Sequence, residues 1–568
     1  TGKVFAVLTP LEGLVINASY FRDIYNYKEN IVDTDLPRWD FRLEQQVTTG
    51  KQGIITNQDS NSDRYVIDLF ATYNKTIARK HNIGVLAGYN QEYCKAWWFN
   101  VRKAGLISLS TPVLSAASDL QNSGGGKDDY AMMSYFGRIN YDYAGKYLLE
   151  ANVRLDGSSR FAPGNRWGTF PSFSAAWRIS EEAFWENLKP VVDNFKIRAS
   201  WGRLGNNGIG NYDWQNVYSP ANTSFGDAIQ QGVWTTAIAN RNISWEKTDV
   251  VDLGLDVNLF GNLSLTFDYY NKLTHGILYR NPIPYVNGGL AAPMVNSAKV
   301  RNRGFEFSAS YNKMLGDLGL SVSVNGAYNR NKIIDYKGDY LETNGATVWT
   351  ENQPIGKFYI REVDHIVQDK AEIDKLVSEG WTFSPSRPEP GDFLYKDLNN
   401  DKRIDDKDRV LKGQPLPLFT FGGSIALSYK NFDFNALFTG VAGWDRYLST
   451  GIFSLTNAET ERLFLKQFQN QWSETNRNTS IPKLYASNEK NNQVSDYYLY
   501  DASFLRVKTI QLGYTIPKNL IPKVRIRAYC NLENFFTITS YPGMDPEMDG
   551  DVGYPILKTV SLGVNIKF

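Results

Sequence analysis

Tyr135-Phe136-Gly137-Arg138-Ile139-Asn140-Tyr141-Asp142-Tyr143 places Tyr135, Gly137, Ile139, Tyr141 and Tyr143 at odd positions, while Arg138, Asn140 and Asp142 take most of the even ones. Period two with unlike faces is the signature of a β-strand. After the tight connection Ala144-Gly145-Lys146, Tyr147, Leu149, Ala151, Val153 and Leu155 fall on one side and Glu150, Asn152, Arg154 and Asp156 on the other. The two runs predict a hairpin. A Gly/Ser/Pro-rich loop, Gly157 to Gly168, then leads to a third run with Phe173, Ala175, Trp177 and Ile179 against Ser172, Ser174 and Arg178.

The same rhythm of short turn and long loop extends in both directions. Upstream, alternating runs start at Leu14 to Tyr20 and around Phe41 to Thr49, and Tyr65 to Thr76 and Asn82 to Tyr93 pair across Arg79-Lys80-His81. Downstream, Phe195 to Trp201 precedes a Gly/Asn-rich segment from Gly205 to Asn242. Val251 to Leu259 then turns through Gly261-Asn262 into Leu263 to Tyr269. Hairpins follow around Lys313 to Gly319, Lys430-Asn431 and Pro517 to Pro522, and Val560 to Phe568 closes the series. This reading gives roughly seventeen or eighteen strands, against the even 8 to 26 of common bacterial outer-membrane barrels. Helical periodicity is confined to Glu181 to Leu188, Ala371 to Glu379 and Glu459 to Trp472.

Composition narrows the class. The 568 residues carry 61 Lys+Arg against 60 Asp+Glu, a formal charge of +1, so no global field recruits nucleic acid. Mean hydropathy is −0.39, and no apolar run approaches the roughly 18 residues of a spanning helix. Strands that cross a membrane need only alternate, and aromatics at 14% suit rings placed at two lipid-water boundaries. Cys94 and Cys530 match no metal spacing and read as small apolar fillers. His81, His275 and His365 show no helical metal-ligand spacing, so no catalytic histidine is expected.

Loop lengths separate two all-β architectures. A sandwich or propeller has similar loops at both ends. Here short connections alternate with long ones around Asp156 to Gly168, Gly205 to Asn242, Thr274 to Arg301, Ile333 to Pro417, Gly443 to Asp496 and Thr537 to Pro555. That asymmetry predicts an antiparallel transmembrane β-barrel. A Lys or Arg facing lipid at midplane costs roughly 2–4 kcal/mol, so Arg154, Arg178, Arg198, Asp252, Asp256, Arg525 and Arg527 are expected on a polar, wet face.

The segment Arg138 to Trp177 resembles the barrel of the SusC/RagA-like TonB-dependent transporters of Bacteroidetes outer membranes, above all in Asn152-Val153-Arg154-Leu155-Asp156-Gly157-Ser158-Ser159-Arg160-Phe161 and Phe170-Pro171-Ser172. Ile197 to Gly202, Gly205 to Gly210, Gly391-Asp392-Phe393 to Asp408, Asp545-Pro546-Glu547, Gly553-Tyr554-Pro555 and Phe568 extend the likeness over nearly the whole chain. The resemblance implies a 22-stranded barrel preceded by a plug domain and a TonB-contacting segment. Residues 1–568 would then be the C-terminal part of that barrel, with the plug and first strands absent from this chain. It also implies TonB-dependent import of a large nutrient, oligosaccharide or peptide, across the bacterial outer membrane. A SusD-like surface lipoprotein would act as lid, and TonB-ExbB-ExbD as motor through the absent N-terminal region. A passive porin or surface adhesin is the alternative, and a soluble glycan-binding β protein or hydrolase a third. No enzyme activity is expected.

Two sets of residues are candidate sites. Asp397, Asn399, Asp401, Arg403 (through its carbonyl), Asp405 and Asp408 follow the oxygen spacing of a calcium loop, which predicts a structural Ca²⁺ or Mg²⁺. Lys402 stands where glycine makes the sharp turn and Asp408 is shorter than a bidentate glutamate, so a solvated acidic turn neutralised by Lys402 and Arg403 also fits. Trp214, Tyr218, Trp234, Trp349 and Trp444 in the long loops are candidates to stack on sugar rings or peptide side chains, with loop packing or lid contact as the other role. The glycine-dense Gly202 to Gly210 opens no helix and reads as a flexible loop rather than a phosphate cradle. Asp252 and Asp256, four residues apart on one strand face, read as lining of the polar face rather than as a glycosidase pair.

Overall fold

A computed structural model describes residues 1–34, 38–47, 53–226, 228–281, 283–336, 343–449, 453, 455, 469–485, 490–517, 519–548 and 553–568. Seventeen long strands dominate them, all of the expected antiparallel kind. The chain divides into two compact units, Thr1–Ala176, Ser200–Asp249, His275–Ser297 and Trp177–Ala199, Val250–Thr274, Ala298–Phe568.

In the first unit, Gly2–Leu11, Leu14–Asp33, Ile54–Ile77, His81–Leu106, Ala117–Tyr143 and Tyr147–Ser158 pair in sequence order. In the second, the order is Lys299–Leu315, Leu318–Asp335, Phe419–Tyr429, Phe432–Ala442, Phe504–Thr515, Arg525–Thr539 and Thr559–Lys567. The remaining long strands are Trp167–Arg178, Val192–Asn206, Glu246–Leu259 and Leu263–His275. Tight turns are built on consecutive left-handed residues. Ala144 and Gly145 have φ of 53° and 73°, Phe260 and Gly261 55° and 63°. Two positive φ values in succession give the primed turn whose twist matches the flanking strands.

Several boundaries differ from expectation. Gly2–Leu11 is a strand in its own right. Ile54–Ile77, His81–Leu106 and Ala117–Tyr143 run to 24, 26 and 27 residues, far beyond the alternating cores that mark them in sequence. The run expected around Phe41 to Thr49 is not a spanning strand. The Asp40 carboxylate accepts the amides of Arg42 at 2.8 Å and Leu43 at 3.1 Å, closing a turn between Arg38–Asp40 and Gln45–Val47. Thr48 and Thr49 lie outside the described residues. The run that alternates in sequence from Tyr498 to Ile516 becomes a long strand only at Phe504, Tyr498 belonging to the 3-10 turn Asp496–Tyr498. Glu181 to Leu188 forms 3-10 turns, Ile179–Glu181 and Ala183–Leu188, rather than an α-helix. Lys370–Ser378 is helical as the periodicity predicts, started by the Asp369 side chain accepting the Glu372 amide. Most of the helix expected at Glu459 to Trp472 lies outside the described residues.

Register sorts the side chains into two faces. Leu320, Leu427, Phe434, Leu512, Cys530 and Leu562 are successive cross-strand partners, an unbroken apolar row that explains Cys530 as a filler. The neighbouring row reads Ser321, Ala426, Asn435, Gln511, Asn531 and Ser561. Leu562 is 82% exposed and Leu512 54%. Contiguous exposure of that kind is paid back only by an apolar solvent or partner.

Candidate functional site

On the apolar face of the first unit, Ala18, Leu69, Ala71, Val85, Ala87 and Ile139 lead up to rings in contact with one another. Tyr20 lies 6.3 Å from Tyr65, Tyr65 5.8 Å from Tyr93, and Tyr89 5.3 Å from Tyr135. One step further the same face turns ionic: Asp63, Lys95 and Asp129 are cross-strand partners, and Arg22 pairs with Asp63 at 2.8 Å. Rings followed abruptly by charges mark the edge of a hydrocarbon layer. From Tyr65 to the turn after Ile77 the strand is little longer than the roughly 9–11 residues a tilted spanning strand needs. The stretch from Ile54 to Arg64 lies past the rings, on their ionic side.

The opposite face is ion-paired. In the first unit Arg64 Nε donates to Glu92 at 2.8 Å, Tyr130 donates to the same oxygen at 2.6 Å, and the Arg160 guanidinium lies 4.8 Å from the Tyr130 ring. In the second, Arg198 holds Asp256 through Nε at 2.9 Å and reaches Asp268 at 2.9 Å, while Arg527 Nε binds Asp433 at 2.9 Å. Gly254 makes the first of these clusters geometrically possible. A Cβ there would sit 2.3 Å from an Asp268 oxygen and 2.5 Å from Arg198 Cζ. Of the seven charges expected on polar faces, Arg198, Asp256 and Arg527 are ion-paired in the second unit and Arg154 in the first, its Nε on Asp156 at 2.6 Å, while these pairs do not involve Arg178, Asp252 or Arg525. The Arg64–Glu92–Tyr130 group escapes a sequence reading because both faces of that part of the strand are polar. Carrying the period-two count back from Tyr65 would have found it.

The family-like motifs meet in loop cores. Asn207 donates to Ser158 at 3.0 Å and Arg160 Nε to Asn211 at 2.8 Å, so the segment Asn152 to Phe161 and the segment Gly205 to Gly210 form one structure. Phe161, Phe170, Ile209, Ile243, Trp245 and Met294 pack beneath it. Gly205 lets the Phe170 ring lie where a Cβ would approach to 2.1 Å. Gly202 to Gly210 is thus a packed element, not a flexible one. In the second unit Asp392 is fully buried, accepting the Glu389 amide at 2.8 Å and Asn491 Nδ2 at 3.2 Å. Buried Arg506 binds Asp545 at 2.5 Å and also Glu547, which accounts for the Asp545-Pro546-Glu547 motif. Glu362 sits between Lys412 at 2.8 Å and Lys396 at 3.0 Å, and their hydrogen bonds hold its carboxyl below the usual range.

The acidic loop is held by hydrogen bonds from its own backbone. Asp397 and Asn399 accept the amide of Asp401, Asp397 also that of Lys402 at 2.9 Å, and Asp401 that of Arg403 at 2.8 Å. Asp405 accepts the Lys407 amide, and buried Asp408 accepts those of Leu398 and Asp405. Lys402 adopts φ of 61° in the glycine position. The oxygens turn back on the loop's own backbone. Among the described residues no three His, Cys, Asp or Glu side chains converge on a common point.

The candidate loop aromatics separate by environment. Trp214 packs against the Phe161 cluster, Trp349 lies 6.4 Å from Tyr336, and Trp444 packs on Leu448, Ala502 and Tyr541 while donating to the Pro415 carbonyl at 3.2 Å. Tyr218 and Trp234 are exposed on the hairpin Tyr218–Phe225 with Ala228–Thr235, one on each of its faces. The structure does not bring the five together.

A family model described as TonB dependent receptor-like, beta-barrel, matches residues 13–534. TonB-dependent receptor P3 of Formosa agariphila is 31% identical over 558 residues, 91% of this chain and 54% of that protein. TonB-dependent receptor SusC of Bacteroides thetaiotaomicron is 30% identical over 459 residues, 77% of this chain and 44% of that protein. The solved structure of the RagAB peptide transporter is similar with a TM-score of 0.82 at 25% identity, over 99% of this chain and 61% of that one. The chain spans about half the length of the curated relatives it matches.

Proposed function

Because the chain belongs to the TonB-dependent receptor-like β-barrel family, we propose that it is the barrel portion of an energised importer in a bacterial outer membrane, taking up an oligosaccharide or peptide too large for a porin. The relatives are receptors and transporters, and the chain performs no bond chemistry. The observation that carries the reading is the division of each strand between a ring-bordered apolar face and an ion-paired polar face. The first meets lipid. The second, wet and rich in paired charge, lines the route. Long loops with cores of their own would shape the outer mouth and seat a SusD-like lipoprotein lid.

Import driven through TonB requires a closed resting state, whereas a passive porin conducts whenever it is in a bilayer. The complete protein, reconstituted in a planar bilayer, is expected to show no steady conductance, and a strain lacking the gene to lose growth on one class of high-mass nutrient. Steady open-pore currents from the complete protein would replace the importer by the porin.

A further inference from the structure

The strand segments that stand beyond the tyrosine boundary of the first unit carry an unassigned cluster of rings on the polar face. Register puts Tyr27, Ser60, Trp98 and Gly126 in one cross-strand row, and Tyr25, Ser62, Ala96 and Asp128 in the next. Tyr25 and Tyr27 stack with centroids 6.4 Å apart and planes within 5°. They are 57% and 36% exposed, and Trp98 46%. Trp98 lies flat on the sheet because two glycines leave room for it. A Cβ on Gly126 would sit 3.0 Å from the indole Nε1, and one on Gly124 3.5 Å from its outer ring edge. Between the tyrosines and the indole the floor is Ser60, Ser62 and Ala96, all small.

We propose that this shelf binds a neutral oligosaccharide on its way to the polar face. The indole of Trp98, lying over Gly124 and Gly126, offers an apolar platform on which the C–H face of a pyranose stacks, with the Tyr25–Tyr27 pair at its border. Ser60 and Ser62 supply hydroxyls that both donate and accept, matching sugar hydroxyls without a charge preference. Tyr27 and Trp98 stand two strands apart, about 10 Å between backbones, a separation that neighbouring units of a short glycan span. The only charge in the two rows is Asp128, which accepts from hydroxyls and repels uronic or sulfated sugars. A peptide finds less here. It is captured by adding a strand to a sheet edge or by pairing its charged termini, yet Ile54–Ile77 and His81–Leu106 are each paired on both flanks and the rows hold no Lys or Arg.

The assignment rests on the import reading, and the test separates the two. The complete protein in detergent is titrated with a panel of neutral hexasaccharides and, in parallel, with neutral hexapeptides, by calorimetry. At least one hexasaccharide is expected to bind. Trp98→Ala is expected to weaken it about tenfold or more, the scale of losing one aromatic anchor, and Gly126→Val, which lifts the indole, to weaken it similarly. Phe99→Ala, on the opposite face of the same strand, is expected to leave binding unchanged, and unaltered melting of each variant shows that the sheet is intact. Binding of no hexasaccharide, binding indifferent to Trp98→Ala, or Trp98-dependent binding of peptides instead would overturn the shelf. Import is scored separately in cells, as uptake of the bound hexasaccharide with and without a protonophore. Uptake indifferent to the protonophore would remove the energised importer and leave the shelf standing.

Discussion

His365 shows how much one side chain's surroundings dictate. Its Nδ1 lies 2.8 Å from an Asp364 oxygen and its Nε2 2.6 Å from a Glu372 oxygen. Ionised carboxylates only accept, so both ring nitrogens donate and the ring is an imidazolium. Partial burial works against that charge. The hydrogen bonds that the ring donates to the two carboxylates, and their negative charge, outweigh it and raise the histidine above its ordinary 6.5. Lys370 and Arg387 are engaged with Asp374. A group whose folded pKa is raised stabilises fully below its unfolded value and loses that contribution as pH climbs through the folded one. Amide protection in the helix Lys370–Ser378, corrected for the base-catalysed rise of intrinsic exchange, is therefore expected to be greatest below about pH 6.5 and to fall as pH climbs above it. His365→Gln should flatten the profile. Protection in the unaltered protein that did not change with pH would mean the bridge does not form. None of this is legible in sequence, since Glu372 reaches the histidine only because the helix starts at Asp369. The inward placement of Arg198 and Asp256 is legible by contrast, because the cost of a charge in lipid fixes it.

Among the elements, the loop from Asp397 to Asp408 reads in sequence equally as a cation site or as an acidic turn, and its carboxylates accept the loop's own amides. Spacing alone could not decide, because the same carboxylates that would ligate a metal can accept backbone amides two to five residues on. Asp408 is the keystone, fully buried with one oxygen on Leu398 and the other on Asp405. Asp408→Ala is expected to cost about 1–3 kcal/mol by leaving two amides without partners, read as lowered melting of the complete protein, and chelation with EDTA to leave that melting unchanged. A calcium-dependent rise in melting temperature would restore the cation. Strand cores were legible for a reason that also explains their misjudged ends. Alternation is visible only while one face meets an apolar medium. It fades in Asn57 to Asp63 and Lys95 to Lys103, where both faces meet water and the ladder nevertheless continues.

For the molecule as a whole, the membrane boundary is the claim on which the rest depends, and it can be located residue by residue. Ile139 lies between the Tyr135 and Tyr143 rows of the apolar face and is 56% exposed. Leu253, in the middle of Glu246–Leu259, is 53% exposed. Their chain neighbours Arg138 and Asp252 point the other way. Lys95 shares a face with Ile139's row but stands past the tyrosines, beside Asp63 and Asp129. Spin labels at these positions in the reconstituted complete protein therefore have distinct expected environments. Dissolved oxygen, which partitions into hydrocarbon, should relax the labels at 139 and 253 more than a water-soluble nickel chelate does, and the order should reverse at 138, 252 and 95. The label at 95 is the sharpest of the five. A sheet that merely packed against another protein layer would show no reversal along a single face. A bilayer must produce one where Tyr65 and Tyr93 give way to Asp63 and Lys95, and equal access of the chelate to 139 and 95 would remove the membrane, and with it the route, from this fold.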